Sequence, residues 1–418
     1  MSGMRVLHFI PSLEAVGGSA AQGYMPALLE AMARRAYVRV LALCGGGAPM
    51  AGVDVHVSPA AALPWRLRRF FSNELAAFAP DVVHVHACWS LAAYVLSREC
   101  ARRGIPVVIS PGRRLEEWHV RRRYWLAGLP RLLLYQRRML RRAAALHFVS
   151  AQEEARFAAF SWHPSLRARR SLNGRTAVIE PYSLSPGTTP GGMSLSLLRL
   201  YRKVADSDPY SRMDAALLAA EDAILLPGMW RGFPGEGAVP PAAVMQVKAL
   251  SEEQLRRICL HAYDEGVLDH VAYGLKAAGM SMPFADAGAV DRFAPRRTAA
   301  DDAGGLVADS RRLARLKGGA ALLPAERALC AGIATLLRKA ERGTARRADF
   351  VSMCLTLRRT GYDEDTVHQK LSELGLLGCA ARLLQIMKQH YGLGEGYMFA
   401  DPVDDRKTAA LRKKLFNK

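Results

Sequence analysis

A chain of 418 residues, 50% hydrophobic and 23% charged, is long enough for two or three domains with cores of their own. Its composition excludes a disordered or fibrous protein, and it holds no apolar run of the roughly 18 to 20 residues that a membrane-spanning helix needs. The formal charge of +20 points instead towards an anionic partner: phospholipid, a phosphorylated lipid carrier, an acidic glycan or nucleic acid.

Arg5–Ile10 is an apolar run of the kind found in strands buried on both faces, and it meets Pro11 too soon to be a signal peptide. A loop with Gly17-Gly18 follows, and Ser19 is placed to cap a helix running to about Ala33. Val38–Leu43 and Val53–Val57 read as strands, and Trp65–Phe78 as a basic amphipathic helix ending at Pro80. Next come the strand Asp81–His86, the helix Trp89–Arg103 stopped by Gly104, and the strand Val107–Ser110 before Pro111. A helix around Leu132–Arg142, the strand Ala145–Val149, a helix capped by Ser150 and a last strand at Thr176–Ile179 complete residues 1–182. This alternation predicts an α/β domain with a doubly wound parallel sheet.

The Pro/Gly/Ser run from Ser183 to Gly192 ends that domain, and 183–240 is expected to be an irregular linker. Residues 241–400 carry only helical spacing, at Leu255–Ala278, Pro324–Arg342, Arg347–Arg359 and Asp363–His390, with Gly279, Gly343 and Gly392 where helices should stop. A mainly α-helical C-terminal domain is therefore expected, followed by a short basic tail, 401–418, frayed apart from a small helix at Lys407–Phe416. No internal repeat is evident. Seven widely spaced cysteines without a C-x-x-C pair predict reduced thiols in a cytoplasm, and neither a zinc site nor a disulfide frame.

Much of the positive charge is concentrated. Thirteen arginines lie between Arg98 and Arg142 against three glutamates, Glu99, Glu116 and Glu117. Arg121, Arg122, Arg123, Arg137, Arg138, Arg141 and Arg142 alternate with Tyr, Trp and Leu, the composition of a helix lying on an anionic membrane surface. The competing account is that Leu132, Leu133, Leu134 and Met139 simply pack on the sheet beneath a solvated arginine face. Nucleic-acid binding fits the charge, but no helix-turn-helix, zinc-finger or aromatic RNA-binding signature accompanies it, and it is not expected. His261, Glu265 and Asp269 lie one helical turn apart and could present two metal ligands, but no third ligand can be named; an ordinary polar helix face is the favoured reading, and no metal is expected.

Several segments carry a family resemblance. They are Arg5–Pro11 with Gly17-Gly18, Pro80–His86 with Trp89, Arg103–Pro111, Leu115–Trp118, Arg123–Trp125, Leu134–Gln136, Arg141–His147 and Val178–Pro181. In order and spacing they resemble the acceptor-side domain of GT-B glycosyltransferases of the family-4-like retaining group, over about 180 residues. The resemblance implies half of a GT-B fold, a sugar-nucleotide donor and no other cofactor. It also implies a glycan or lipid-linked acceptor, as in assembly of lipopolysaccharide, capsule or exopolysaccharide at the cytoplasmic side of the inner membrane. Gly17, Gly18 and Ser19 are placed to face a diphosphate. His86, Trp89, Arg113, Arg114 and Trp118 are expected to line the cleft.

Two departures from the family pattern stand out. His-Gly is usual after Ser110-Pro111, and here Gly112 and Arg113 occupy those positions; arginine cannot act as a base but can clamp phosphate or carboxylate. The family's second parallel domain bears two glutamates separated by seven residues, a spacing this chain nowhere contains. No catalytic carboxylate can be named. The expectation is a glycosyltransferase-like protein of glycan assembly. The alternative is a transferase-derived protein that has lost chemistry and kept binding or scaffolding.

Overall fold

The computed structural model describes residues 3–13, 23–45, 49–58, 64–112, 114–115, 129–159, 175–183, 187–293 and 323–416. The chain forms two compact units, Met1–Arg212 with Asp291–Pro295, and Met213–Val290 with Arg296–Lys418.

The first unit is built on seven strands: β1 (Arg5–Phe9), β2 (Tyr37–Ala42), β3 (Val53–Val57), β4 (Val82–Val85), β5 (Val107–Ile109), β6 (Ala145–Phe148) and β7 (Thr176–Val178). They make one all-parallel sheet in the order β3-β2-β1-β4-β5-β6-β7, with Val6 in register with Val38 on one side and Val82 on the other. Every strand lies within a residue or so of its expected position. The central strands are apolar on both faces because helices cover both.

On one face, Leu7, Phe9, Val83, Val85 and Ile109 pack with α2 (Pro64–Phe78), α3 (Leu91–Arg102) and α5 (Arg137–Arg142). A short α4 (Leu129–Arg131) and a π-helical turn (Leu132–Gln136) lead into α5. The helix α6 (Ala151–Ala159) adds Phe157 to this core. On the other face, Val6, Ile10, Val82, Val108 and Ala145 pack with α1 (Met25–Ala33) and α7 (Pro190–Asp206).

The helix α7 corrects the expectation of an irregular linker over 183–240. Pro190 occupies the first turn, and Thr189 caps it by accepting from the Gly192 N–H at 3.1 Å. A proline in the first turn needs no N–H partner, so residues read as breakers here start a helix. The compact unit accordingly runs to Arg212 rather than 182. The start of α1 also differs: it begins at Met25 with proline in its first turn, and Ser19 lies outside the described residues.

The regular elements of the second unit are all helices among its described residues. It comprises α8 (Ala215–Met229), α9 (Pro241–Lys248), α10 (Glu252–Asp264), α11 (Leu268–Ala277), α12 (Pro324–Arg342), α13 (Arg347–Arg359), α14 (Glu364–Glu373), α15 (Leu377–Tyr391) and α16 (Arg406–Phe416). The helices expected at Leu255–Ala278 and Asp363–His390 are each two, broken at Gly266 (φ 74°) and Gly375 (φ 65°). Both breaks close alike. The residue after the glycine donates to a carbonyl five positions back, Val267 to Ala262 at 2.8 Å and Leu376 to Leu371 at 2.9 Å. A helix-turn-helix connection thus recurs where no sequence repeat was evident. The basic tail is packed, not frayed, with Leu415 buried in the core of this unit.

A charged cluster lies inside this unit. The Glu221 carboxylate is fully buried, 2.7 Å from His261 Nδ1 and 3.4 Å from Arg347 Nη1. Arg347 also meets Asp222 at 2.6 Å, and its backbone N–H donates to Glu265 at 2.8 Å. Burial works against the Arg347 charge, but Glu221 and Asp222 outweigh it and raise its proton affinity. His261 and Glu265 are therefore committed to helix–helix contacts, and no metal-competent group forms around them among the described residues.

Candidate functional site

The strand order reverses direction between β1 and β4, and in open parallel sheets ligands bind outside the carboxyl ends of the strands at such a switch point. Strand β4 ends there at Val85, and the next residue, His86, donates its N–H to the Phe9 carbonyl of β1 at 2.9 Å. His84 and His86 do share a face, as their alternation with valine predicts, and it is the face covered by α1 and α7. His8 of β1 and His147 of β6 join them there, because strand residues two apart point the same way.

These side chains form a hydrogen-bonded row whose direction follows from its end. The Ile179 carbonyl can only accept, so His147 Nε2–H donates to it at 3.1 Å. A neutral His147 must then accept at Nδ1 from the Ser110 hydroxyl, 2.7 Å away. Ser110 in turn accepts from His84 Nε2–H at 2.6 Å, which leaves His84 Nδ1 to accept from the Tyr201 hydroxyl of α7 at 2.6 Å. Every proton in the row points one way.

Burial holds the imidazoles neutral. It lowers His8 to about 3 and His147 to about 4. Burial, reinforced by neighbouring imidazoles, takes His84 and His86 well below the ordinary range. Burial also drives Tyr201 upwards, so its proton stays available for His84. His86 is the partly exposed member, with Nε2 at 3.0 Å from His8 Nδ1. The other nitrogen of His8, Nε2, finds no hydrogen-bond partner among the described residues.

His8, His84 and His86 offer nitrogens within 4.8 Å of one another, so three imidazoles could approach one ion. Both His84 nitrogens are already engaged, and no carboxylate belongs to the group, which fits a neutral row better than a cation site. Replacing Tyr201 by Phe should strand His84 Nδ1 without a donor and cost about 1–3 kcal/mol. Urea unfolding followed by hydrogen exchange at β4 measures this, and unchanged protection there would mean that the bond does not form.

Beyond β4, Trp89 adopts a left-handed backbone (φ 60°), a conformation bulky side chains avoid. Three bonds impose it. Its N–H donates to Gln136 Oε1 at 2.8 Å, Tyr135 O–H donates to its carbonyl at 3.1 Å, and its indole N–H donates to the Arg114 carbonyl at 2.9 Å. Tyr135 and Gln136 belong to the π-helical turn, a local widening that often accompanies functional sites. Through these bonds the loops after β4 and β5 are tied together. Gly112, where the family has histidine, takes φ 57°, and a Cβ there would touch nothing within 4 Å. Glycine at 112 thus serves the backbone turn.

Residues 19–170 match the glycosyl transferase 4-like domain family. The N-terminal domain is a glycosyl transferase 4-like domain. No curated protein sequence is significantly similar to the chain. A solved structure described as a UDP-N-acetylglucosamine 2-epimerase from Listeria monocytogenes aligns with 69% of this chain and 93% of its own, at 11% identity and a TM-score of 0.30, too low to bear on the arrangement of this molecule.

Within the glycosyl transferase 4-like domain, Trp89 and the Arg114 backbone are joined between the loops after β4 and β5, and His86 lies just past β4 with its ring against His8 and His84. Gly17, Gly18, Ser19, Arg113, Trp118, Arg121, Arg122 and Arg123 lie outside the described residues. Arg137, Arg138, Arg141 and Arg142 are exposed on α5. Sequence reasoning missed His8, Ser110, His147 and Tyr201. The first three were legible in principle, since each shares the strand parity of His84 or ends the neighbouring strand; Tyr201 lay in the stretch taken for linker.

Proposed function

We propose that this protein is of glycosyltransferase type and acts in glycan assembly, taking a sugar nucleotide as donor and a glycan or lipid-linked acceptor at the cytoplasmic side of the inner membrane. The observation that supports the reading is the match to the glycosyl transferase 4-like family, in a sheet whose switch point has His86 just past β4 and Trp89 bonded to the Arg114 carbonyl in the loops that follow. There, neutral His86 offers a sugar hydroxyl a hydrogen-bonding ring rather than a charge. Trp89, in the loop after β4, offers an apolar indole face. Arg113 and Arg114 supply the positive charge a diphosphate or acidic sugar needs. In this reading the domain needs no metal, and no carboxylate is assigned as catalyst.

A thermal-shift and calorimetry panel of sugar nucleotides tests this. One of them, at 100 times its dissociation constant, should stabilise the protein by about 2.7 kcal/mol. Arg113→Ala with Arg114→Ala should weaken that binding by about tenfold or more without unfolding the domain. Silence across the panel would count against the reading.

A second reading is a transferase-derived binding protein without turnover. It is favoured by Gly112-Arg113 in place of His-Gly, and by a second unit that is helical in its described residues and lacks the paired glutamates. Sugar-nucleotide binding without hydrolysis or transfer would select it.

A further inference from the structure

The helices α2, α3 and α4–α5 share one face of the sheet, with α2 packed on α3 and α3 packed on the π turn and α5. Because all seven strands are parallel, each of these crossover helices runs back along the sheet, and its amino-terminal end lies at the carboxyl edge. That edge also carries His86, Trp89 and Arg114.

Large apolar side chains stand exposed at these ends. They are Trp65 (65% exposed) in the first turn of α2, Leu91 (43%) at the start of α3, and Leu133 (54%) and Leu134 (66%) in the π turn. Leu132 and Met139, by contrast, are buried, so packing on the sheet accounts for only part of the Leu-rich segment. The same helices carry ten arginines against two glutamates. Both glutamates are spent internally. Glu99 is bonded by Arg68, Arg102 and Arg103, and Glu74 by Arg39 and His56. Arg66, Arg69, Arg98, Arg131, Arg137, Arg138, Arg141 and Arg142 remain exposed.

From this arrangement we propose that the outer face of α2, α3 and α4–α5 docks on an anionic lipid bilayer, with Trp65, Leu91, Leu133 and Leu134 entering the headgroup layer. Two features favour a bilayer over nucleic acid. Leucine side chains gain nothing from a phosphate backbone, whereas they insert at the acyl boundary. Tryptophan and arginine are the residues that settle at a membrane interface. The apolar contacts gather at the edge that bears the candidate cleft, so docking would bring that cleft to the bilayer. Resting on the proposed glycosyltransferase-type function, this identifies the acceptor as lipid-linked, presented from the membrane rather than from solution.

The test is flotation of the full chain with phosphatidylglycerol-rich vesicles and with phosphatidylcholine vesicles, at 50 mM and 500 mM salt. The protein should float with the anionic vesicles alone, and less at high salt. Leu133→Ser with Leu134→Ser should lower the bound fraction at both salts. Replacing Arg137, Arg138, Arg141 and Arg142 by Gln should lower affinity by about 100-fold at low salt, since each arginine near an anionic surface contributes several-fold. All six positions are exposed, and circular dichroism should show an unchanged fold. No flotation with anionic vesicles at low salt, or undiminished flotation of both variants, overturns the proposal. So does a salt-sensitive gel shift on nucleic acid abolished by the arginine replacements while vesicles fail to bind. Sugar-nucleotide binding measured in solution should be untouched by the leucine pair, so failure of docking is separable from failure of the transferase-type reading.

Discussion

Acidification from pH 7 to pH 5 is expected to remove about 4 kcal/mol or more from the stability of the first unit. His8, His84 and His147 are at most 2% exposed and are held neutral by burial. In the unfolded chain each takes up a proton near pH 6.5. In the folded chain uptake is postponed to about 3 for His8 and about 4 for His147, and the value for His84 is likewise lowered. A depressed folded value means that the stabilising contribution is complete above about 6.5 and fades as pH falls towards the folded value. At pH 5 the unfolded state is favoured by about 2 kcal/mol for each of His8 and His147, and His84, lowered as well, adds to a total that rivals the stability of an ordinary domain. Urea titrations between pH 7.5 and 5, read by hydrogen exchange in β1, β4 and β6, measure the slope. Between pH 6 and 5, a range above the carboxylate values, His8, His84 and His147 should together add close to three protons to it, and His86, lowered by the same causes, should add to that. His147→Gln should remove about one of them. A flat profile would show that these imidazoles are not buried together.

The second large effect is expected in the helical unit. The antiparallel pair α8 and α11 touches backbone to backbone at two reciprocal points. A Cβ added at Gly274 would lie 2.0 Å from the Ile224 carbonyl oxygen, and one added at Gly228 would lie 1.9 Å from that of His270. No rotamer relieves a clash with backbone, so the helices must separate. Leu225, Val271 and Leu275, all fully buried, then lose contact. Gly274→Ala and Gly228→Ala should each cost about 3 kcal/mol or more. The double variant should cost less than the two together, because one displacement makes room for both methyl groups. Gly361→Ala, where nothing lies within 4 Å, is the control and should stay near neutral. Thermal unfolding of the four variants decides; a cost below 1 kcal/mol at Gly274 would mean that the helices cross farther apart.

The sheet was legible because a parallel strand announces itself as an unbroken apolar run between turn residues, and Val6, Val83 and Val108 sit in such runs. The face that α7 covers was not legible. Thr189-Pro190-Gly191-Gly192 has the composition of a loop, and only the N-cap geometry distinguishes a helix start from a turn. Gly266 and Gly375 were passed over for a related reason: a single glycine inside helical spacing is tolerated often enough that its left-handed conformation cannot be read from the letter alone. In the candidate site, His86, Trp89 and Arg114 were visible through the family resemblance. Tyr201 was not, since its link to His84 spans 117 positions and leaves no local pattern.

The cluster of Glu221, Asp222, His261, Glu265 and Arg347 joins helices on either side of residues 291–322. A fragment ending before that stretch would keep two acidic side chains in an apolar interior with no guanidinium to answer them, and the remaining fragment would strand the guanidinium. The helical part of neither piece should fold alone, yet mixed together the two should assemble, each supplying the counterion the other lacks.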